Sequence, residues 1–227
     1  MVDTILEISK TVGSIVAIII FSVYFCKQYI DKLNKKIPIG ESVIKQNKED
    51  NHIFATMEYY KELLKADRIM LFEFHNGQHY SNYRSALKLS VSYECYRAGL
   101  ESQRSFCTNL PISIMPQFIH AITTQESVNF KNIEDLKETM PNTYAFKKGL
   151  GIKAFYDVPI KDVAGNIIGF VAVQWNRAMP DDAEAYRKIV DNHVKHLAWS
   201  LEDSIQRITA MECSKHSFKK RNFHKHK

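Results

Sequence analysis

The sequence predicts an α+β chain: an N-terminal transmembrane helix, then one antiparallel sheet with flanking helices. Three observations carry that prediction. Thr11 to Cys26, TVGSIVAIIIFSVYFC, is a run of 16 residues without a charge, bracketed by Lys10 and Lys27. Near the other end, Gly151 to Trp175 alternates and turns like a β-hairpin. Long apolar stripes of helical period lie on either side of everything between.

The uncharged run comes first. At 1.5 Å rise per residue it covers about 24 Å of a hydrocarbon core near 30 Å. Ile5, Leu6 and Ile8 before it, and Tyr29 and Ile30 after it, lengthen the apolar column. Lys10 and Lys27 can snorkel to the two interfaces, and Tyr24 and Tyr29 stand where an aromatic belt would be. A cleaved signal peptide fits less well, because Asp3 and Glu7 occupy the region that should be basic and no small-residue cleavage site follows. The span is expected over about 11–29, within an N-terminal segment 1–30. Gly13, Ser14, Ala17 and Ser22 are the small residues that would let such helices approach one another.

The 227 residues leave room for this segment and one domain with a real core. Net charge is +6, and Lys215 to Lys227 alone hold six Lys or Arg and no acid. The basic excess therefore belongs to a tail, 209–227, expected to be disordered, and the domain gives no reason to expect a nucleic-acid partner. Residues 31–50 read as a polar linker interrupted by Pro38 and Gly40. Of four cysteines, Cys95 and Cys107 are the pair that a disulfide would join in an oxidising compartment.

Within the expected domain, 51–208, Asn51 is an N-cap for a helix with Ile53, Met57, Tyr60 and Leu64 in one stripe. Arg68 to Phe74 is a buried central strand, ended by turn chemistry at His75-Asn76-Gly77. Lys88 to Tyr93 reads as a strand, Glu94 to Leu100 as a short helix with a surface Glu94/Arg97 pair, Pro111 to Thr123 as helix and Ser127 to Phe130 as strand. Residues 131–149 look helical and broken at Pro141. In the hairpin, Ile152, Ala154, Tyr156 and Val158 form one face, with Lys153 and Asp157 on the other. Ala164-Gly165-Asn166 turns into the apolar strand Ile167 to Trp175. The last helix carries Val190, Val194, Leu197, Leu201, Ile205 and Ile208, a stripe long enough to add a dimer seam to its core-facing role.

The phrase GIKAFYDVPIKDVAGNIIGFVAVQW resembles the closing hairpin of GAF domains, on Gly151, Pro159, Gly165 and Gly169, so that the sheet reads as GAF/PAS-like. The resemblance implies a domain that binds small ligands or mediates contacts rather than catalyses, and that dimerises through its flanking helices. A second resemblance concerns layout. One span followed by an α+β domain with a C-terminal hairpin and helix is similar to the single-pass holins of T-even-like bacteriophages. That likeness implies accumulation in a bacterial host inner membrane, clustering, release of endolysin, and restraint by an antiholin bound to the domain.

The sequence holds no nucleophile elbow, Walker loop, Rossmann glycines or paired catalytic carboxylates, so no enzyme activity and no cofactor are expected. His75 and His79 are four apart but flank a turn, so no metal site is expected. A ligand lip is expected instead at His75, Asn76, Tyr83, Arg84 and Lys88, whose donors suit an anionic or nucleotide-like molecule. Two functions follow. The leading one is a holin-like membrane protein that oligomerises in lipid to time lysis. The alternative is a membrane-tethered GAF-like sensor or adaptor in the cytoplasm. Lys27, Lys32, Lys35, Lys36, Lys45 and Lys48 outnumber Lys10 across the span, which favours a cytoplasmic domain, whereas the holin reading needs a periplasmic one.

Overall fold

The computed structural model describes residues 20–28, 39–79, 83, 85–177 and 184–221. It divides into two compact units, Met1–Gln46 and Asn47–Lys227. In the first, residues 20–28 form helix α1, with Ile20, Phe21, Val23 and Tyr24 exposed and the Phe21 and Phe25 rings 5.1 Å apart. Among the described residues no helix is long and apolar enough to cross a membrane. Gly13, Ser14 and Ala17, with most of the expected span, lie outside them; Ser22 is an exposed residue of α1.

Helix α2 (Ile39–Leu63) runs straight through the stretch expected to be a linker. Gly40 falls in its first turn, where few intrahelical bonds depend on it, and Asn51 is a mid-helix residue rather than a cap. The long helix α5 (Glu184–Arg221) likewise continues into the segment expected to be a disordered tail.

Between them the strands are β1 (Arg68–His79), β2 (Ser85–Tyr96), β3 (Leu110–Pro111), β4 (Val128–Phe130), β5 (Ala154–Lys161) and β6 (Ile167–Trp175). They form one sheet in the order β3-β2-β1-β6-β5-β4, with every neighbouring pair antiparallel. The first and last long strands therefore lie side by side at its centre. Helices α3 (Pro116–Thr124) and α4 (Pro141–Gly149) each begin at a proline, whose missing N–H costs nothing in a first turn.

The sheet is covered on both faces, and this decides how its strands must be read. Ile69, Leu71, Ala154, Tyr156, Val171 and Val173 pack one core with α2 and α5. Met70, Phe72, Phe155, Phe170 and Ala172 alternate into a second core with residues of α3 and α4. The burial of all of β5 except its last residue follows. A bulge after Leu71 keeps β2 in phase: Ser92 is left without a strand partner, and its hydroxyl donates to the Leu71 carbonyl at 3.2 Å. In the β5–β6 turn, Asp162 accepts the Ala164 and Asn166 backbone N–H groups, and Gly165 supplies the positive φ of +83°.

Several expectations are corrected. His75-Asn76-Gly77 does not turn; β1 continues to His79, paired with β2 through His75↔Lys88 and Asn76↔Leu87. The short helix at Glu94 is instead the end of β2, so the Glu94/Arg97 pair does not form, and Arg97 bonds Asp67 at 3.1 Å. The α5 stripe faces its own sheet: Val190, Val194, Leu197, Leu201 and Ile205 are core residues, and the half-buried Ile208 packs against them.

Cys95 and Cys107 are free and face opposite cores. Side chains that point to opposite faces of the sheet cannot meet the Cβ geometry that a disulfide requires. Burial, reinforced by the Glu58 carboxylate that accepts from Cys95, pushes the Cys95 thiol up to about 12. Burial pushes Cys107 up to about 11. Both thiols are therefore protonated at pH 8 and unreactive. Peptide mass mapping after brief alkylation should find neither modified in native protein and both modified in denaturant; native-state labelling of either would contradict this packing.

Candidate functional site

The second core contains a buried polar row. Period two along the strands aims Arg68 (β1), Gln174 (β6) and Asp157 (β5) at α3 and α4, and the bulge in β2 brings Glu94 to the same face. Arg68 stands opposite Gln174. Gln174 is opposite Phe155 while Asp157 is opposite Ala172, so Gln174 and Asp157 are diagonal neighbours, roughly 7 Å apart by sheet geometry. The row thus crosses β2, β1, β6 and β5, four adjacent strands.

Its two ends are ion pairs. The Arg68 guanidinium bonds the Glu94 carboxylate with both side chains nearly inaccessible, donates to the Glu101 carbonyl at 2.6 Å, and lies 5.2 Å from the Tyr96 ring centre. Glu94 also accepts the Gln103 backbone N–H at 2.8 Å and the Ser102 hydroxyl, so its negative charge is well met. At the other end α4 presents Thr143 and Lys147 on one face, four residues apart. Lys147 Nζ reaches Asp157 Oδ2 at 2.9 Å and sits 3.6 Å from the Phe155 ring centre and 5.2 Å from that of Phe118. Burial raises the Asp157 carboxyl to about 6 against the opposing pull of Lys147. The two pairs cancel, so the row is neutral overall.

Between the pairs, polar atoms remain unmatched. Asp157 Oδ1, Thr143 Oγ1, Gln174 Oε1 and Gln103 Oε1 are buried without a protein hydrogen-bond partner. Asp157 and Thr143 are 0% exposed and Gln174 is 3%. Gln103 ties the row to the end of α4, its amide donating to the Leu150 carbonyl at 2.7 Å. A buried polar group left unmet costs about 1–3 kcal/mol, so four in one layer are an expensive arrangement for a purely structural core. Chemically the layer offers acceptors to a molecule with N–H or O–H donors and aromatic walls at Phe118, Phe155 and Phe170.

The residues expected to form a ligand lip are elsewhere. His75 and Lys88 are partners across β1 and β2, on the opposite face from the row, and His75 Nε2 bonds Ser90 Oγ at 2.8 Å. Asn76 is exposed, Arg84 lies outside the described residues, and Tyr83 is 89% exposed with a φ of +61°. Sequence reasoning passed over Asp157, Lys147, Thr143, Gln174, Gln103 and Arg68 as candidates. One signal was present: Asp157 and Gln174 are polar residues set inside otherwise apolar strands, AFYDVPI and FVAVQW.

A two-faced antiparallel sheet with its terminal strands adjacent and a polar row beneath short helices can be compared with known proteins. No curated protein matches the sequence. Among solved structures, the blue-light absorbing form of the PixJ GAF domain from Thermosynechococcus elongatus is similar at a TM-score of 0.55 and 16% identity, covering 80% of this chain and 96% of that one. The phycocyanobilin-bound GAF domain of a cyanobacterial phytochrome is similar at a TM-score of 0.51 and 17% identity, covering 72% and 90%. The red light-absorbing state of NpR6012g4, a red/green cyanobacteriochrome, gives 0.51 and 14%, covering 69% and 95%. These likenesses show the fold, and the model of the GAF domain matches residues 53–191, more than half of the sequence: the chain belongs to the GAF domain family.

Proposed function

We propose that this chain is a sensory module whose GAF domain binds a small polar molecule in the layer between the sheet and helices α3 and α4. The observation that carries the reading is the set of buried, unmatched oxygens on Asp157, Thr143, Gln174 and Gln103, strung along one neutral polar row. One of the similar domains is described as phycocyanobilin-bound, but at that identity the likeness reaches only the fold, so the ligand is argued from these residues. The N-terminal apolar run, with exposed apolar side chains on α1, supports a membrane tether, and the lysine bias after it supports a cytoplasmic domain. The role proposed is sensing or adapting, without catalysis. The holin reading gains no support, since the family match is to the GAF domain.

A thermal-shift screen of small metabolites against the full chain tests this. A ligand at a hundred times its Kd stabilises by about 2.7 kcal/mol. Thr143→Val and Gln174→Leu remove unmatched oxygens at similar volume, so each should leave the ligand-free protein about as stable as before while abolishing the shift. A screen without any stabilising compound, or a shift that survives both substitutions, would defeat the reading.

A further inference from the structure

One end of the domain gathers its most exposed apolar side chains and its most basic sequence. Helix α2 enters the domain at that end, at Asn47. Asp50 accepts the Tyr93 hydroxyl at 2.6 Å and Glu58 accepts the Cys95 thiol at 2.6 Å, so the earlier residues of β2 lie toward the start of α2. The Glu49–Arg207 ion pair at 3.0 Å and the Tyr60 and His193 rings 6.3 Å apart set α5 antiparallel to α2, so α5 finishes there as well. Gly169 pairs with both Glu73 and Ile160, which puts the β1–β2 connection and the β5–β6 turn on the same side of that row. Lys161 confirms the placement: its backbone N–H bonds Glu202 of α5 at 2.7 Å and its carbonyl accepts from Gln206.

Tyr83, between β1 and β2, is 89% exposed and Val163, in the β5–β6 turn, is 86% exposed; no other large apolar side chain among the described residues is as open to water. Leu87, early in β2, is 47% exposed. Turn tips of this kind suit a lipid headgroup layer, where a tyrosine ring sits at the interface and an aliphatic side chain reaches the first carbons. The charge matches. From His75 to Lys88 the sequence has Arg84 and Lys88 and no acid, and from Cys213 to Lys227 it has six Lys or Arg and no acid. Lys215, Lys219, Lys220 and Arg221 fall in the last two turns of α5. Nearby acids already have partners: Glu49 meets Arg207, Glu202 meets the Lys161 N–H, and Asp162 meets the backbone of its own turn. Val163 and Leu87 give a nucleic-acid base nothing to stack on, so anionic lipid fits this end better than nucleic acid.

We infer that this end of the domain docks on the surface of an anionic bilayer, with Tyr83 and Val163 set into the headgroup layer and the basic end of α5 against it. Each Lys or Arg brought to such a surface strengthens attachment about fivefold. The inference is separate from ligand binding beneath α3 and α4. A tether through the apolar run would only raise the local concentration of lipid.

Hydrogen–deuterium exchange of the full chain reconstituted into bilayers tests this. With phosphatidylcholine and phosphatidylserine at about 7:3, the amides of residues 79–87 and 162–166 should exchange at least about fivefold more slowly than with phosphatidylcholine alone. Salt at about 1 M, where the Debye length is about 3 Å, should erase most of that protection. Tyr83→Asp combined with Val163→Asp should abolish it with the unfolding midpoint unchanged, since both side chains are exposed and aspartate tolerates the φ of +61° at Tyr83. Lys219→Glu combined with Lys220→Glu should remove most of it. Tips that exchange alike in both bilayers, protection that survives either pair of substitutions, or equal protection by a single-stranded oligonucleotide in neutral bilayers would each overturn the docking face. Carbonate extraction reads the tether independently: a chain washed off by carbonate but protected at its tips loses the tether and keeps the docking face.

Discussion

Lys147→Met should destabilise the domain by roughly 3–5 kcal/mol at pH 7.5, the cost of leaving a buried carboxylate without its partner. Asp157 is 0% exposed and pairs with Lys147 at 2.9 Å; methionine preserves the packing against Phe155 and Phe118 but not the charge. The loss should depend on pH in a definite direction. Asp157 titrates at about 6 in the folded protein, above its ordinary value of 3.8. Its contribution to stability is therefore fully present below about pH 4 and is lost as pH rises to about 6, roughly 3 kcal/mol in all. Removing Lys147 removes the influence that lowers this value, so the folded carboxyl climbs further. The deficit of the variant should then shrink markedly between pH 7.5 and pH 5, where Asp157 is protonated in both proteins. Asp157→Asn should flatten the wild-type decline between pH 4 and 6. Urea midpoints at four pH values measure all of this. A deficit that is constant with pH would mean that Lys147 acts by packing alone.

The same residues show what the sequence could reveal. Period and turn chemistry made the hairpin legible: Asp162, Gly165 and Asn166 build the turn from local hydrogen bonds, and local bonds are what a sequence pattern encodes. The stripes of α2 and α5 were legible as core for the same reason. His75-Asn76-Gly77 misled because turn propensity competes with pairing, and β2 supplies partners for His75 and Asn76 that a window of three cannot see. Asp157 could be assigned to a face of β5 but not to an interior, because burial on both faces depends on α3 and α4, which arrive from elsewhere in the chain. The polar row is assembled from β1, β2, β5, β6, α4 and the loop after β2, residues 68 to 174, so no spacing rule within one element contains it.

Gly169→Ala should cost about 3 kcal/mol, a large effect for one added methyl group. Gly169 lies in β6 between Glu73 of β1 and Ile160 of β5, where the two central strands carry the whole sheet. A Cβ built there would stand 2.0 Å from the Phe72 carbonyl oxygen and 3.0 Å from the Glu73 Cα. Both obstacles are backbone, which cannot swing aside as a side chain would. Either β1 and β6 separate and weaken their ladder, or the strain passes into the stacked Phe72 and Phe170 rings, 4.7 Å apart. Gly165→Ala is the contrasting case. Its φ of +83° favours glycine, but nothing lies within 4 Å, so the cost should stay near 1 kcal/mol. Urea unfolding of the two variants separates steric exclusion from conformational preference. If Gly169→Ala were the milder of the two, β1 and β6 could not approach as closely as they do. The conventional stability of a domain is about 5–15 kcal/mol, so Gly169→Val, which adds two further carbons against the same carbonyl, should leave little folded protein at 37 °C. Since Gly169 stands where the N-terminal and C-terminal strands join, that loss would remove both cores at once rather than fray an edge.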